Sequence, residues 1–324
     1  MREISFSEAT LEAMSEEMER DSSVFVLGED IARQGGIFGQ FKGLPQKFGT
    51  DRVLDTPISE TAIVGAAVGA ALAGMRPVAD MHFADFIGVC MDEVFNQMAK
   101  VRYMFGGQCK VPMVLRAPDG IIRSAAAQHS QSVEAWFMHI PGLKVVIPSN
   151  PADAKGLLKA AIRSDDPVLY FEHKVLFPMK GPVPDGDHIV PIGKANVSRK
   201  GKDVTIVSYS LMMNRALEAA EKLAAEGIEA EVIDLRTISP IDKDTIFESL
   251  RKTKRLVIVH EAVKQGGVGA EISALVAEEM IDWLDAPIRR IGAPFVPVPF
   301  SPPLEQLVKI SADHIAKTVK EICR

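Results

Sequence analysis

The stretch LDTPISETAIVGAAVGAALAGMRPVADM, residues 54–81, has the alternation of polar turns, a small-residue helix and an apolar strand that is typical of an α/β fold. Ser59 is a residue type that caps helices, and the run rich in Gly, Ala and Val after it predicts a helix from Glu60 to about Ala73. A glycine then ends this helix, and residues 77–81 have the short apolar composition of a strand. A strand that follows a helix so closely is typical of a parallel sheet covered by helices.

The same alternation of strands and helices continues on both sides of this stretch. It fails between Lys174 and Lys202, where four prolines interrupt the periodicity. We therefore predict an α/β fold with a first domain at 1–175, a linker at 176–202 and a second domain at 203–324. Each domain is expected to contain a mainly parallel sheet flanked by helices. The other predicted strands are 24–27, 111–116, 143–147, 168–171, 204–209, 230–235, 256–259 and 288–291, and the other predicted helices are the one that begins with a Ser5–Glu8 capping box, 88–104, 152–163, 211–225, 242–250, 268–284 and 311–323.

Composition and charge limit the classes of partner. Of the 324 residues, 37 are basic and 43 are acidic, which gives a net charge of −6 without a cluster of Lys or Arg. Nucleic acids and anionic membrane surfaces need a concentrated positive patch, so we expect neither as a partner. The three cysteines lie far apart without a CxxC pair, which is typical of a reducing compartment. The longest uncharged apolar run, 62–75, is too short to cross a bilayer, so we predict a cytoplasmic protein.

Two polar clusters follow predicted strands, where open parallel sheets bind ligands. The first ends in Glu60, at the start of the helix rich in Gly and Ala. One interpretation is an acid that only interacts with the helix dipole. The other follows from Gly65 and Gly69, which would let a second helix or subunit approach closely. An unpaired carboxylate in such a dry junction would have a raised pKa, as functional carboxylates often do.

The second cluster is Gln128-His129-Ser130-Gln131-Ser132. A lone histidine is more often structural than catalytic, so both interpretations of His129 stay open. Ser130 lacks a GxSxG turn, and the absence of an HExxH pattern or paired Cys/His spacing argues against a zinc site. Gly267-Val268-Gly269 follows a predicted strand, as a dinucleotide-binding loop would, but it lacks the third glycine of that motif. A nicotinamide-dependent dehydrogenase is therefore only an alternative.

Motifs along nearly the whole chain resemble the beta subunit of thiamine-diphosphate-dependent 2-oxo acid and acetoin dehydrogenases. The resemblance implies a pyrimidine-binding α/β domain followed by a transketolase C-terminal-like α/β domain. The motifs that carry it are Asp55-Thr56-Pro57-Ile58-Ser59-Glu60, Gly106-Gly107, Gln128-His129-Ser130-Gln131-Ser132, Pro141-Gly142-Leu143-Lys144-Val145-Val146, Asp153-Ala154-Lys155-Gly156-Leu157-Leu158, Glu229-Ala230-Glu231-Val232-Ile233-Asp234-Leu235-Arg236, Ser239-Pro240-Ile241-Asp242 and Pro297-Val298-Pro299-Phe300-Ser301-Pro302.

The resemblance also implies roles at matching positions. Glu60 matches the glutamate that hydrogen-bonds N1′ of the aminopyrimidine, where a shared proton favours the reactive tautomer of thiamine diphosphate. His129 matches the histidine that faces the reacting centre and the incoming lipoyl group. The other implied cofactor contacts are an aromatic against the aminopyrimidine, two residues of the pocket wall, a nearby acid and a histidine where many relatives have glutamine, namely Phe86, Ile58, Ser59, Glu29 and His82.

The resemblance implies ions and partners as well. Relatives anchor magnesium and the diphosphate through a GDG motif, and the nearest strings here, 118–120 and 184–187, lack its leading glycine. This absence implies a separate alpha subunit that holds Mg²⁺ and the diphosphate, an alpha2beta2 heterotetramer, and a lipoyl-bearing acyltransferase core as a further partner. Relatives also bind potassium through backbone carbonyls, and these positions carry over to Met113, Ala161, Ile162, Ser164 and Asp166.

The small-molecule substrate is predicted from three segments. Residues 102–107, 123–129 and 297–302 look most like the acetoin branch, although 118–123 departs from the glycine-rich segment of both branches. We therefore favour cleavage of acetoin with transfer of the acetyl unit to a lipoyl group. Pyruvate dehydrogenase is the near alternative, and a branched 2-oxo acid is less favoured. A non-catalytic scaffold subunit is a further interpretation, against which the intact Glu60 and His129 argue.

Overall fold

The structure is a computed structural model that describes residues 1–323. Arg324, the last residue of the predicted second domain, lies outside the described residues. The chain divides into two units, each of which is described by itself. The first comprises Met1–Asp119 and Trp136–Ile192, and the second comprises Gly120–Ala135 and the residues from Gly193 onward.

These units do not follow the predicted domain limits at every point. The segment Gly120–Ala135 belongs to the second unit, although it lies within the predicted first domain of 1–175. The predicted linker, 176–202, contains two strands instead of irregular chain throughout. The domain limits themselves stay a prediction.

The bounds of the elements are as follows. The strands are β1 (Arg2–Ser5), β2 (Val24–Gly28), β3 (Val53–Asp55), β4 (Arg76–Asp80), β5 (Val114–Asp119), β6 (Lys144–Val146), β7 (Val168–His173), β8 (Lys180–Val183), β9 (Asn196–Arg199), β10 (Val204–Ser208), β11 (Ala230–Asp234), β12 (Thr237–Ser239), β13 (Leu256–Val263) and β14 (Arg289–Ala293). The α-helices are α1 (Phe6–Arg20), α2 (Leu44–Phe48), α3 (Glu60–Leu72), α4 (Ala99–Met104), α5 (Glu134–Met138), α6 (Pro151–Arg163), α7 (Ser210–Ala224), α8 (Lys243–Thr253), α9 (Val268–Glu279), α10 (Pro302–Val308) and α11 (Ala312–Ile322).

In the first unit, six strands form a parallel arrangement in the order β6-β7-β5-β4-β2-β3. Their side chains are buried on both faces, as expected of parallel strands with helices on either side. Val26, Val78 and Tyr170 from these strands pack with Met14 of α1 and Leu158 of α6 in one core.

In the second unit, the strands follow the order β14-β13-β10-β11-β9. All pairs are parallel except β9 with β11, which is antiparallel at the edge of the sheet. Val204, Val232 and Val257 of this sheet pack with Ala216 of α7 and Ile315 of α11. Both units therefore confirm the predicted class, mainly parallel sheets flanked by helices.

Local signals placed most elements correctly. The Ser5–Glu8 capping box is formed, with the Ser5 Oγ accepting from the Glu8 amide and the Glu8 carboxylate accepting from the Ser5 amide. The helix predicted over 88–104 was wrong in detail. Its chain winds as a 3-10 helix over Ala84–Cys90 and as a π-helix over Glu93–Met98 before α4 begins. No helix within residues 1–323 is both long and apolar enough to cross a membrane.

Candidate active site

Three strands of the first unit end at the same edge and position the acids of the predicted pocket. β2 pairs in parallel with β3 and β4, and Gly28 lies opposite both Asp55 and Asp80. Glu29 follows β2 directly, and Glu60 begins α3 a short turn after β3. Because the carboxyl ends of parallel strands lie at one edge of a sheet, ligands commonly bind there.

Gly28 leaves no space for a side chain. A Cβ at this position would lie 2.9 Å from the Asp80 carbonyl oxygen and 3.0 Å from the Asp80 Cβ. Only glycine therefore lets β2 and β4 approach so closely at their ends. This approach sets the separation between Glu29, the next residue after Gly28, and His82, two residues after Asp80.

Glu29 and His82 contact each other twice. The His82 Nε2 lies 2.7 Å from the Glu29 carbonyl oxygen, and the His82 Nδ1 lies 3.3 Å from the Glu29 Oε2. A carbonyl oxygen can only accept, so Nε2 carries a hydrogen. The contact between Nδ1 and the carboxylate is then favourable when one more proton lies between them, on the imidazole or on the carboxyl.

Burial and neighbouring charges act on Glu29 in opposite directions. Its side chain is 12% exposed, and this burial raises the pKa of Glu29. The charge of His82 lowers that pKa, and the charge of Glu60 raises it again. Glu60 therefore lies close enough for the two carboxylates to repel each other. Glu29 and His82 thus form a contacting acid–base pair, and the Glu60 charge acts on it through Glu29.

The segment from Ile58 to Glu60 has polar groups without partners. The Glu60 carboxylate is half-buried, and within residues 1–323 it has no hydrogen bond or ion pair. Ser59 occupies the N-cap of α3, yet its side chain makes no capping hydrogen bond. Ile58 is 82% exposed. A free carboxylate, a free hydroxyl and an exposed apolar side chain in sequence are features that a bound ligand or partner would cover.

Phe86 lies in the 3-10 helix that follows β4 and is half-buried. Its ring packs edge-on against Phe83, with centroids 6.1 Å apart. The structure thus brings Glu29 and His82 into contact, with the Glu60 charge acting on Glu29, and places Phe86 on the element that follows His82.

His129 belongs to the second unit, in the segment Gly120–Ala135. The segment is closed by a hydrogen bond from the Gly120 amide to the Gln131 carbonyl at 3.2 Å. The His129 side chain is half-buried. Its setting is described within that unit, so Glu60 and His129 are two separate observations.

A buried charge cluster behind Glu29 and His82 was missed by the sequence analysis. Asp80 and Arg116 are fully buried, and Arg116 is paired with the equally buried Glu172, with the Nη2 donating to Oε1 at 2.9 Å. Within residues 1–323, neither carboxylate oxygen of Asp80 has a hydrogen-bond partner. Burial raises the pKa of Asp80 to about 7, although the Arg116 and His82 charges lower it. Asp80 and Arg116 lie within otherwise apolar predicted strands, and such charged residues could have indicated a buried ion pair.

The carbonyls proposed for potassium already accept hydrogen bonds. The Ile162 and Ser164 carbonyls each accept from the Arg76 Nη1 at 3.0 Å. The other three accept from backbone or hydroxyl groups, namely Met113 from Val168, Ala161 from Ser164 and Asp166 from the Ser164 Oγ. A potassium ion would need the second lone pair of each oxygen beside a guanidinium of the same sign. Potassium stays a prediction.

The Glu60 carboxylate fits the aminopyrimidine end of thiamine diphosphate. The unpartnered Glu60 carboxylate is the acceptor that a protonated ring nitrogen needs. Within the described part of the chain, no group of three His, Cys, Asp or Glu could hold a metal ion. Glu60 is thus the residue of this chain that could face the pyrimidine, whereas the holder of Mg²⁺ and the diphosphate stays a prediction.

Two family profiles together match most of the chain. Residues 2–180 match the pyrimidine binding domain of transketolase, and residues 193–315 match the transketolase C-terminal domain. Among solved structures, the chain is similar to a split gene transketolase described as an inactive beta4 tetramer, with 26% identity and a TM-score of 0.81 over 99% of this chain and 98% of that one.

Among characterised proteins, the chain is 53% identical to the Acetoin:2,6-dichlorophenolindophenol oxidoreductase subunit beta of Cupriavidus necator, over 99% of this chain and 97% of the relative. It is 47% identical to the 2-oxoisovalerate dehydrogenase subunit beta of Bacillus subtilis, over 99% of both chains. It is also 46% identical to a mitochondrial pyruvate dehydrogenase E1 component subunit beta-2 of Oryza sativa, over 99% of this chain and 87% of that one. The chain therefore belongs to the transketolase-like beta subunits of thiamine-diphosphate-dependent 2-oxo acid and acetoin dehydrogenases, which are subunits of oxidoreductases.

Proposed function

We propose that this beta subunit binds the aminopyrimidine of thiamine diphosphate at Glu60 and acts on acetoin. The observation that carries the proposal is the half-buried Glu60 carboxylate, which has no hydrogen-bond or ion-pair partner within residues 1–323 and whose charge acts on Glu29, the residue in contact with His82. When bound, thiamine diphosphate supplies the nucleophilic carbon that cleaves a bond next to a carbonyl group.

The chain's own residues act on protons and on orientation. The Glu60 carboxylate holds a proton at N1′ of the aminopyrimidine. Glu29 and His82 share a proton near this carboxylate. The pair is thus a second group, besides Glu60, that can give or take a proton. Phe86 packs against the ring face, and Ile58 and Ser59 cover its edge. His129 gives a proton during transfer to the lipoyl group.

The proposed partners are those implied by the missing GDG motif, which in relatives anchors Mg²⁺ and the diphosphate. An alpha subunit holds Mg²⁺ and the diphosphate, and two copies of each subunit form an alpha2beta2 heterotetramer. A lipoyl-bearing acyltransferase core receives the acetyl unit. The predicted cytoplasmic location is part of the same proposal and rests on the use of cysteine.

Acetoin is favoured over pyruvate and branched 2-oxo acids by the similarity of 102–107, 123–129 and 297–302 to the acetoin branch. The relatives that act on the three kinds of substrate have similar identities to this chain, 53%, 47% and 46%, so the preference for acetoin rests on these segments. Pyruvate remains the alternative substrate, and a non-catalytic scaffold remains the alternative role.

Reconstitution with the alpha subunit tests the proposal. The complex is assayed with acetoin, pyruvate and 2-oxoisovalerate, using an artificial electron acceptor and separately a lipoyl domain. We expect kcat/KM for acetoin to exceed the others by about tenfold or more, a difference of ~1.4 kcal/mol in transition-state binding. A preference for pyruvate would make pyruvate, and not acetoin, the substrate. A complex that assembles and oxidises none of the three compounds would favour the role of a non-catalytic scaffold subunit.

A further inference from the structure

The segment that carries His129 adopts a strained backbone. Three of its residues have φ in the left-handed region, at +78° for Gly120, +57° for Ser124 and +58° for Ala126. Glycine adopts this conformation easily, whereas other residues lose roughly 1–2 kcal/mol each. Ser124 and Ala126 therefore need neighbouring interactions that hold them in this conformation.

Two buried carboxylates of the second unit supply such interactions. The Glu261 Oε2, on β13, accepts from the Ile121 amide at 2.9 Å and from the Ser132 Oγ at 3.4 Å. These two donors lie on opposite sides of His129 in the sequence. One carboxylate oxygen thus ties both arms of the segment to one strand of the sheet.

Glu305 of α10 holds the strained position itself. Its Oε2 accepts from the amide of Ser124 at 2.8 Å, and its other oxygen is paired with Lys309. Glu305 is completely buried and Glu261 is 8% exposed. Hydrogen bonds to a buried carboxylate are charge-assisted and stronger than those between neutral groups. They can therefore offset the unfavourable φ of Ser124.

We propose that Glu261 and Glu305 are positioning residues that hold the segment 120–135, and with it His129, in one conformation. They act through the backbone of the segment and touch no reacting atom. The inference rests on the proposed function of His129 only in its consequence for catalysis, because the hydrogen bonds themselves are independent of that function.

The experiment compares Glu261→Ala and Glu305→Ala with Glu231→Ala in the assembled complex. Glu231 is a matched control, since it is 3% exposed, accepts from the Gly201 amide at 3.2 Å and pairs with Lys252, but lies on β11. Amide hydrogen exchange of residues 120–132 reports the conformation. Transfer to a lipoyl domain and oxidation with an artificial acceptor report the consequence.

We expect exchange in 120–132 to rise about tenfold or more in the first two variants and to stay unchanged in the control, as the loss of a bond worth ~1.4 kcal/mol predicts. Transfer to the lipoyl domain should fall about tenfold, while KM for acetoin changes little. Gln at either position should restore most of the transfer, because its amide oxygen still accepts from the backbone. Glu261→Asp, which withdraws the acceptor by one methylene, replaces the Ala variant if that variant does not assemble.

Unchanged exchange in these variants would overturn the proposal whatever His129 does. Faster exchange with normal lipoyl transfer would overturn the positioning role, provided that His129→Ala itself slows transfer. If His129→Ala has no effect, the proposed function of His129 fails instead, and the exchange data still decide whether the carboxylates hold the segment.

Discussion

The pocket acids of the first unit and the His129 segment of the second are positioned in different ways. Glu29, Glu60 and His82 follow the ends of parallel strands or begin a helix, so regular secondary structure places them. His129 lies on an irregular segment with left-handed residues, and buried carboxylates hold the backbone around it. One chain thus places polar residues in two ways, by sheet register in the first unit and by a few strong hydrogen bonds in the second. Substitutions should therefore affect the two regions differently.

The largest effect is expected from Glu60→Gln. Gln has nearly the volume of Glu and a similar helix propensity, so stability should change by less than about 1 kcal/mol. It cannot hold an acidic proton at N1′, so turnover should fall by ~10²–10⁴-fold. Hydrogen–deuterium exchange at thiazolium C2 in the assembled complex measures the step, and a thermal melt checks the fold. Normal exchange with normal assembly would mean that Glu60 is only a helix-start acid.

The next effect concerns His129→Ala, which tests the irregular region directly. Transfer to a lipoyl domain should fall by ~10²-fold, the lower end for loss of a general acid, while oxidation by an artificial acceptor falls much less. The paired assays on one preparation give the ratio. Ser130→Ala is a neighbouring control that should leave the ratio unchanged. Equal small losses in both assays would return His129 to a structural role.

The third prediction concerns how the stability of the first unit depends on pH through Asp80. The pKa of Asp80 rises from 3.8 to about 7 on folding, so its contribution to stability is fully present below pH 3.8 and is lost as pH rises to about 7. Asp80→Asn mimics the protonated form and does not titrate. Relative to wild type, the variant should thus gain stability between pH 5 and pH 8, on the order of a few kcal/mol.

Melting temperatures of the assembled complex at the two pH values measure this gain. Asp21→Asn serves as the control, because hydrogen bonds from Ser23 lower the pKa of Asp21 and keep it ionised throughout this range. Its difference from wild type should therefore be the same at both pH values. A flat difference for Asp80→Asn as well would show that Asp80 stays ionised in the fold.

The smallest effect is expected at Ser124. Ser124→Gly removes the penalty for a φ of +57° and keeps the amide that Glu305 accepts. We expect a gain of up to about 1 kcal/mol, reduced by the greater entropy of glycine in the unfolded chain. Ser124→Ala, which keeps the strain, should show no gain in a thermal melt. A loss of stability in the Gly variant would mean that the left-handed conformation carries no penalty here.

Local sequence signals were sufficient wherever neighbours in the chain decide the structure. The capping box at Ser5 and the helix at Glu60 depend on residues within one or two turns, and both formed as predicted, with α3 ending at Leu72. The family motif at 55–60 predicts Glu60 as a site residue, and the resemblance predicts Glu29 at a matching position outside that motif; both roles stay predictions. The contact between Glu29 and His82 then follows from the parallel pairing of β2 with β4, and β3, which precedes Glu60, pairs with β2 on its other side.

Interactions between distant parts of the chain could not be predicted in this way. β8 lies in the predicted linker and was not predicted as a strand. Its partner, β1, is at the start of the chain, and no local sequence pattern indicates their antiparallel pairing. The pairing of Arg116 with Glu172 likewise joins two strands that each look apolar. The bonds of Glu261 and Glu305 to the His129 segment span more than a hundred residues. Such contacts depend on the finished sheet.

The lack of space at Gly28 has a consequence for genetics. A single-nucleotide change that places Ala or another residue there would push the Asp80 backbone away from β2, since a Cβ would lie 2.9 Å from its carbonyl oxygen. The displacement would reach His82 and open its contact with the Glu29 carbonyl. A missense lesion at a residue that has no side chain would then act on the contact between His82 and Glu29, two residues that a genetic screen would otherwise report separately.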